Sequence, residues 1–455
     1  MNKTLTAIGF VLSLACLQWG MVPGSAGGSS NPSPLTLEEA IKLGLEKNPR
    51  MTMASSQIDA SSARITHARS GLYPRIDFNE SFVRTTNPAQ AFSTKLNQEQ
   101  ISSQDFDPSR LNNPSTTQNF ATTLSLTMPV YDAGQIRGGV EQARLDQESI
   151  SFSAERIRQE VITGIVVAYV GVLLAQDRLQ VIHQSLETAH ANEKMVRSRY
   201  QNGLVVKSDQ LRAEVRVAEL EQERLTTQSH VDVARAMLNA SMGVDVGRLF
   251  RLVRPEEKDS SAPGSLDQWC LESMKNRPDI QQLRLQEMIR EEELKKARMA
   301  HLPSLYVTGS YEINTEDFSQ SANNYSMGVL LRFNIFGGFG TESKIHEAVA
   351  NLQQMKARVR QFELAVEVET RQAFFQAKSA YDRIKVAEAS LNQAQEGLRI
   401  VRNRYENGLF TIVNLLDAEA SLQQTRTNYL RSLHDYKVAM AQLLLAAGMM
   451  NENFR

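Results

Sequence analysis

Histidine is the residue type most often recruited for chemistry, and this chain has seven: His67, His183, His190, His230, His301, His346 and His434. None belongs to an HExxH or comparable metal-binding pair. His183 and His190 stand seven residues apart, which shares a helix face without building a metal site. Surface or packing roles suit these histidines better. Cys16 and Cys270 are too few for a disulfide framework or a four-thiolate centre. Cys270 has no histidine near it in the sequence, and no Gly-x-Ser-x-Gly occurs, so nucleophilic catalysis has no constellation to use. No glycine-rich phosphate loop ending in Lys-Ser or Lys-Thr is present, so the chain cannot drive work with a nucleotide. The 16 methionines are scattered, Met449-Met450 among them, and a copper-specific role from methionine richness is the weaker reading of them. The expectation is no enzyme, no cofactor and no metal.

With chemistry set aside, the elements themselves become the message. The 455 residues include 50 Lys plus Arg and 51 Asp plus Glu. Such balance argues against a broadly nucleic-acid-binding protein. Mean hydropathy is −0.34. Beyond the N-terminus no run of about 20 apolar residues occurs, which excludes a helical membrane transporter. A transmembrane barrel stays open, because its strands barely register in bulk hydropathy.

The N-terminus reads as a secretory signal over 1–26: Lys3, an apolar run from Leu5 to Leu17, then Gly24-Ser25-Ala26 for cleavage. Cys16 offers a lipoprotein anchor as the alternative, although Ser13-Leu14-Ala15 before it places the leucine one position off. Residues 27–34 form a Gly/Ser/Pro linker.

All 13 prolines lie at or before Pro303, and none falls between Pro129 and Pro255. The two proline-free regions are rich in helix formers and must run as uninterrupted helix. The chain also repeats itself. Thr36-Leu-Glu-Glu-Ala through Asn48-Pro49 matches Ser265-Leu-Asp-Gln-Trp through Arg277-Pro278, and Leu72-Tyr-Pro matches His301-Leu-Pro, at an offset of 229. Pro129-Val-Tyr matches Asn334-Ile-Phe, and Arg199-Tyr-Gln-Asn-Gly-Leu matches Arg404-Tyr-Glu-Asn-Gly-Leu, at an offset of 205. The first copy therefore carries 24 extra residues between about 84 and 119, read as an exposed loop. The first repeat covers 35–250, a linker 251–264, the second repeat 265–449, and a short tail 450–455.

Each repeat contains two alternating segments, about 75–84 and 119–130 in the first and 304–314 and 324–335 in the second. Their length of about ten residues suits a tilted strand crossing a bilayer; an amphipathic hairpin in a water-soluble protein is the other reading. Long helices are predicted over 135–202 and 341–407, with return helices over 207–242 and 411–447, and shorter ones near 50–71 and 279–301. At 1.5 Å per residue a rod of roughly 65 residues spans on the order of 100 Å, which no compact domain needs. Gly203 and Gly408 end the rods.

Together, Leu37, Ala40 and Asn48-Pro49, Tyr73-Pro74, Pro129-Val-Tyr-Asp-Ala-Gly, Tyr200-x-x-Gly203-Leu204 and Tyr405-x-x-Gly408-Leu409 occur in a fixed order within a tandem duplication. In this the chain resembles the TolC-like outer-membrane efflux proteins over essentially its whole mature length. The resemblance implies a mainly α fold with a small β part. Three protomers would supply four strands each to an outer-membrane β-barrel, continued by a long α-helical periplasmic tunnel. An open four-stranded sheet could not sit in lipid with unpaired edges, and closure by three chains satisfies every ladder. The implied function is passive conduction as the exit duct of a tripartite efflux or type I secretion system. Its partners would be a periplasmic adaptor and an inner-membrane transporter, proton-driven or ATP-driven, in a Gram-negative cell.

The resemblance also points to residues. Asp209 and Asp417 fall where relatives place carboxylates facing the lumen near a periplasmic constriction, and three copies would form a cation-attracting ring; a solvated helix face is the plainer reading. Asn414 stands where a second aspartate often sits. Phe410 stands near a position where an arginine can link helices, and would close the pore by apolar contact or simply pack. Arg212 is the first-copy counterpart of Asp417, which suggests a latch between them. Tyr200 and Tyr405 are expected to pack inside their hairpins with the hydroxyl at the rim. Gly203, Leu204, Gly408 and Leu409 are the expected adaptor-docking tips. A secreted periplasmic coiled-coil structural or adaptor protein is the competing class.

Overall fold

A computed structural model describes residues 33–255 and 261–452. The leader, Cys16 and nearly all of the 27–34 linker lie outside the described residues. Each repeat begins with a short helix and a longer one, α1 (Leu37–Lys47) and α2 (Pro49–Ser70) in the first copy, α7 (Leu266–Asn276) and α8 (Pro278–Met299) in the second. The proline at the first position of α2 and of α8 is tolerated because that N–H would be unpaired anyway. Thr36 caps α1 with a reciprocal Thr36–Glu39 capping box.

Strands β2 (Arg75–Thr85), β3 (Thr117–Tyr131), β5 (Ser304–Thr315) and β6 (Ala322–Arg332) form one antiparallel sheet in the order β2-β3-β5-β6. The register sorts its two faces. Phe78 pairs with Leu124, Leu124 with Tyr311 and Tyr311 with Tyr325; one pleat along, Ile76, Leu126, Gly309 and Met327 align. The opposite face aligns Asp77, Ser125, Ser310 and Ser326, then Asn79, Thr123, Glu312 and Asn324. One face is therefore apolar and the other polar, the division a barrel makes between lipid and lumen. Glu80 is a polar residue on the apolar face, where its carboxylate accepts from Thr122 Oγ1 at 2.5 Å. The outer edges of β2 and β6 are unpaired in the protomer.

From the sheet the chain passes into two rods, α5 (Gln135–Gln201) and α9 (Gly340–Glu406), of 67 residues each. In the first copy Asp132 makes the handover, accepting from the N–H groups of Gly134 and Ile136. In the second copy Gly337 replaces that aspartate, and Phe339 takes the left-handed conformation that Gly134 holds in the first. Phe339 meets Phe336 edge-on at 5.7 Å. With Tyr73, Tyr131 and Phe333 these exposed rings form an aromatic belt at the sheet–helix junction.

The return helices α6 (Lys207–Met242) and α10 (Ile412–Ala446) are about half as long as the rods they follow. They leave room for α2 or α8 beside the remaining half: α5 packs against α2, α6, α8 and α10, and α9 against α7, α8 and α10. The main core lies halfway along α5. There the uncharged stretch 161–176 buries Ile162, Ile165, Val166 and Tyr169 against Ile41, Leu238 and Met242. It is the most apolar helical stretch described, and the protein itself covers it. Two further short strands, β1 (Ser33–Leu35) and β4 (Phe250–Leu252), pair in parallel beside it. Tyr169 ties them down with a hydroxyl whose single proton is shared between the carbonyls of Leu35 at 2.8 Å and Val253 at 2.5 Å, and burial pushes its pKa up to about 12.

The 24 extra residues of the first copy are largely exposed, as expected, but they are not a loop. They fold into α3 (Pro88–Asn97), a 3-10 turn (Ser103–Phe106) and α4 (Pro108–Asn112). Two of the three prolines there, Pro88 and Pro108, start helices behind the caps Asn87 and Asp107, and Pro114 follows the end of α4.

Candidate functional site: the tip of the helical hairpins

The rods end on glycine. Gly203 and Gly408 sit at φ 72° and 75°, and in both copies the following leucine N–H returns to the carbonyl of Arg199 or Arg404 at 2.9 Å. This Schellman closure requires a residue that accepts positive φ. It leaves Leu204 and Leu409 each 73% exposed, so two leucines project from the tips as the sequence suggested.

The two tyrosines differ. Tyr405 is 3% exposed and packs with Val196, Ala213, Ile412 and Leu415, a core shared by both hairpins. Its hydroxyl is buried without a hydrogen-bond partner among the described residues, so it does not reach the rim. Burial raises its pKa; Arg199 opposes the rise and the Asp209 charge adds to it. Arg199 also lies over the Tyr405 ring at 4.9 Å and donates to the carbonyls of Tyr405 and Glu406 at 3.4 Å. Tyr200 is 39% exposed, with the Lys207 ammonium 5.3 Å from its ring centroid. Of the two tyrosines Tyr405 is therefore internal, walled by Val196 and Ala213 of the first hairpin and by Ile412 and Leu415 of its own.

Asp209 is half-buried near the start of α6. Asn414 is a cap: its Oδ1 accepts from the Thr411 N–H at 3.1 Å and hydroxyl at 2.8 Å, which starts α10. Phe410 packs on the shared tip core beneath the Arg404 guanidinium, 5.2 Å from its ring. Arg212 and Asp417 are both exposed, and the protomer joins them by no ion pair among the described residues.

Polar links that the sequence did not reveal hold the hairpins together instead. Glu419 of α10 accepts from Asn192 of α5 at 2.7 and 2.8 Å and from Arg402 of α9 at 3.4 Å. Arg216 of α6 donates to Gln423 of α10 at 2.6 Å, and Gln423 donates back to Glu223 at 2.9 Å. Residue types this common in helices give no signal until the hairpins are placed side by side.

Residues 40–244 and 269–449 match the family described as "Outer membrane efflux protein", one match for each structural repeat. The chain belongs to this family. The Alkaline protease secretion protein AprF of Pseudomonas aeruginosa is 22% identical over 430 residues, covering 92% of this chain and 85% of the relative. Protein CyaE of Bordetella pertussis is 24% identical, covering 91% and 84%. The Campylobacter jejuni CmeC outer membrane channel superposes with a TM-score of 0.76 at 17% identity, over 92% of this chain and 86% of that one. The protein is thus an outer-membrane exit duct of efflux or secretion that reaches into the periplasm, and its sheet is one third of a trimeric barrel. It is not the secreted coiled-coil adaptor of the competing reading.

Proposed function

We propose that the duct is passive and that an inner-membrane transporter and a periplasmic adaptor load it from the hairpin tips. The observation that supports this most is the sheet, apolar on one face and polar on the other, with both edges unpaired. Such a sheet is stable in lipid only when closed with copies of itself. The exposed leucines Leu204 and Leu409, each beside a glycine turn, fit apolar contacts of an adaptor. Asp209 and Asp417, three copies of each, would make the lumen near the tip cation-attracting. A latch between Arg212 and Asp417 would have to form across protomers. The likeness to AprF, named for alkaline protease secretion, favours an exported protein as cargo.

Purified protein in planar bilayers tests the reading. Trimers should give small resting currents that grow when the hairpins are loosened. A stable monomer in micelles that forms no pores rejects the duct.

A further inference from the structure

The 24-residue insertion lies on the polar face of the sheet. Helix α3 packs against β3 and β6, burying Ala91 and Thr94. Just beyond it Gln98 donates from one Nε2 to the Gln118 carbonyl and to Asn119 Oδ1, both at 2.8 Å. Asn119 Nδ2 donates to Asn314 Oδ1 at 2.6 Å, and Asn314 donates to Glu312 at 2.7 Å. Asn119, Asn314 and Glu312 share the face of Ser125 and Ser310, opposite Leu124 and Tyr311. A buried carboxamide ladder therefore fastens the insertion to the luminal wall, at the end of the strands away from the helical rods. The second copy has only the short connection 316–321 at this place.

We propose that this insertion is an outer lid, one per protomer, which narrows the extracellular mouth of the duct and limits what passes. Geometry sets the scale. Twelve strands about 4.8 Å apart and tilted by about 40° close at a backbone radius of about 12 Å. A helix with its side chains is about 10 Å across. Three helices lying against the inner wall of so narrow a mouth fill most of it. The lid has structure of its own: Lys95 pairs with Asp105 at 2.8 Å, and Phe92 meets Phe106 edge-on at 5.8 Å. It is therefore a folded unit, held to the wall by the packing of Ala91 and Thr94 and by the hydrogen bonds of Gln98.

The proposal rests on the barrel reading, and one experiment separates the two. Ser125→Cys and Leu124→Cys, each with Cys270→Ser, place a thiol on the polar and the apolar face. Intact cells are treated with a membrane-impermeant polyethylene-glycol maleimide. The barrel reading fails if Leu124→Cys reacts as fast as Ser125→Cys does in every background. The lid is tested by replacing residues 86–116 with the 316–321 connection; heat-resistant trimers certify assembly. Labelling of Ser125→Cys should accelerate about tenfold once the mouth is clear. If the replacement does not assemble, Gln98→Ala with Asn314→Ala unties the lid and should accelerate labelling in the same direction. An unchanged rate in the assembled variant overturns the lid.

Discussion

Asn48 and Arg277 occupy the same station in the two repeats and perform the same task with different chemistry. Asn48 Nδ2 donates to the Ser241 carbonyl at 2.7 Å, and Arg277 Nη1 donates to the Ala446 carbonyl at 3.2 Å. Each thereby fastens the knuckle between a short and a longer helix to the end of its return helix. Arg277 brings a charge inside, with its side chain only 3% exposed, and pairs with Asp279 at 2.6 Å and Glu369 at 2.7 Å. Arg156 of the first repeat lies 3.7 Å from Asp279, so the network joins the two copies.

Removing one partner from a buried pair costs more than the pair itself is worth, because the other is left uncompensated. Arg277→Ala should lose about 3 kcal/mol of protomer stability. Arg277→Lys should recover only part, since one ammonium cannot serve Asp279, Glu369 and the carbonyl in fork geometry. The temperature at which the trimer dissociates in gels reads the effect. A dissociation temperature unchanged in Arg277→Ala would show that Arg156 carries the network alone.

The same cluster sets an acid limb. Burial opposes ionisation of Asp279, but the hydrogen-bonded Arg277 and its charge outweigh it and hold the carboxyl below its usual range. A carboxyl depressed in the folded state adds stability above its unfolded pKa, about 3.9, and loses it as pH falls through the lower folded value. Wild-type dissociation temperature should therefore drop below about pH 4. Asp279→Asn should be less stable at neutral pH and show a flatter acid limb. Parallel profiles would remove Asp279 from the account.

Glycines with the same φ should respond very differently. Gly203 and Gly243 both sit at φ 72°, but a Cβ on Gly203 meets open space whereas one on Gly243 falls 2.5 Å from the Lys47 carbonyl oxygen. Gly203→Ala should cost about 1 kcal/mol from left-handed strain alone. Gly243→Ala should cost on the order of 4 kcal/mol, because backbone must move. Trimer yield and dissociation temperature rank the two, and equal effects would refute the role of the close approach.

The duplication, the proline-free rods and the alternating strands made most of the fold legible, since period and punctuation are written in consecutive residues. The glycine tips were legible for the same reason. The insertion was misread because Pro88 and Pro108 each stand directly after an Asn or Asp, and that pair can begin a helix as readily as a turn. Tyr200 and Tyr405 share an Arg-Tyr-x-Asn-Gly-Leu context, and the asymmetric meeting of the hairpins buries one and exposes the other. The links of Glu419 to Asn192 and of Gln423 to Arg216 and Glu223 depend on pairings across 200 residues or more, which no local pattern records.

Those links lead to the last prediction. Glu419 is the one side chain described that accepts from α5 and α9 together while standing on α10. Glu419→Ala removes the acceptor for Asn192 and Arg402 and leaves the second hairpin held to the first by Arg216–Gln423 and the Tyr405 core. Such loosening should raise resting single-channel conductance severalfold, with more when Gln423→Ala is added. Tyr405→Phe is the control. It keeps the ring in the core and removes a hydroxyl buried without a partner, so the tip should be as stable or more stable, by up to about 1 kcal/mol, with conductance unchanged. Single-channel recordings decide between the contacts. Wild-type conductance in Glu419→Ala, together with an open channel in Tyr405→Phe, would place the restraint in the aromatic core and not in the polar links.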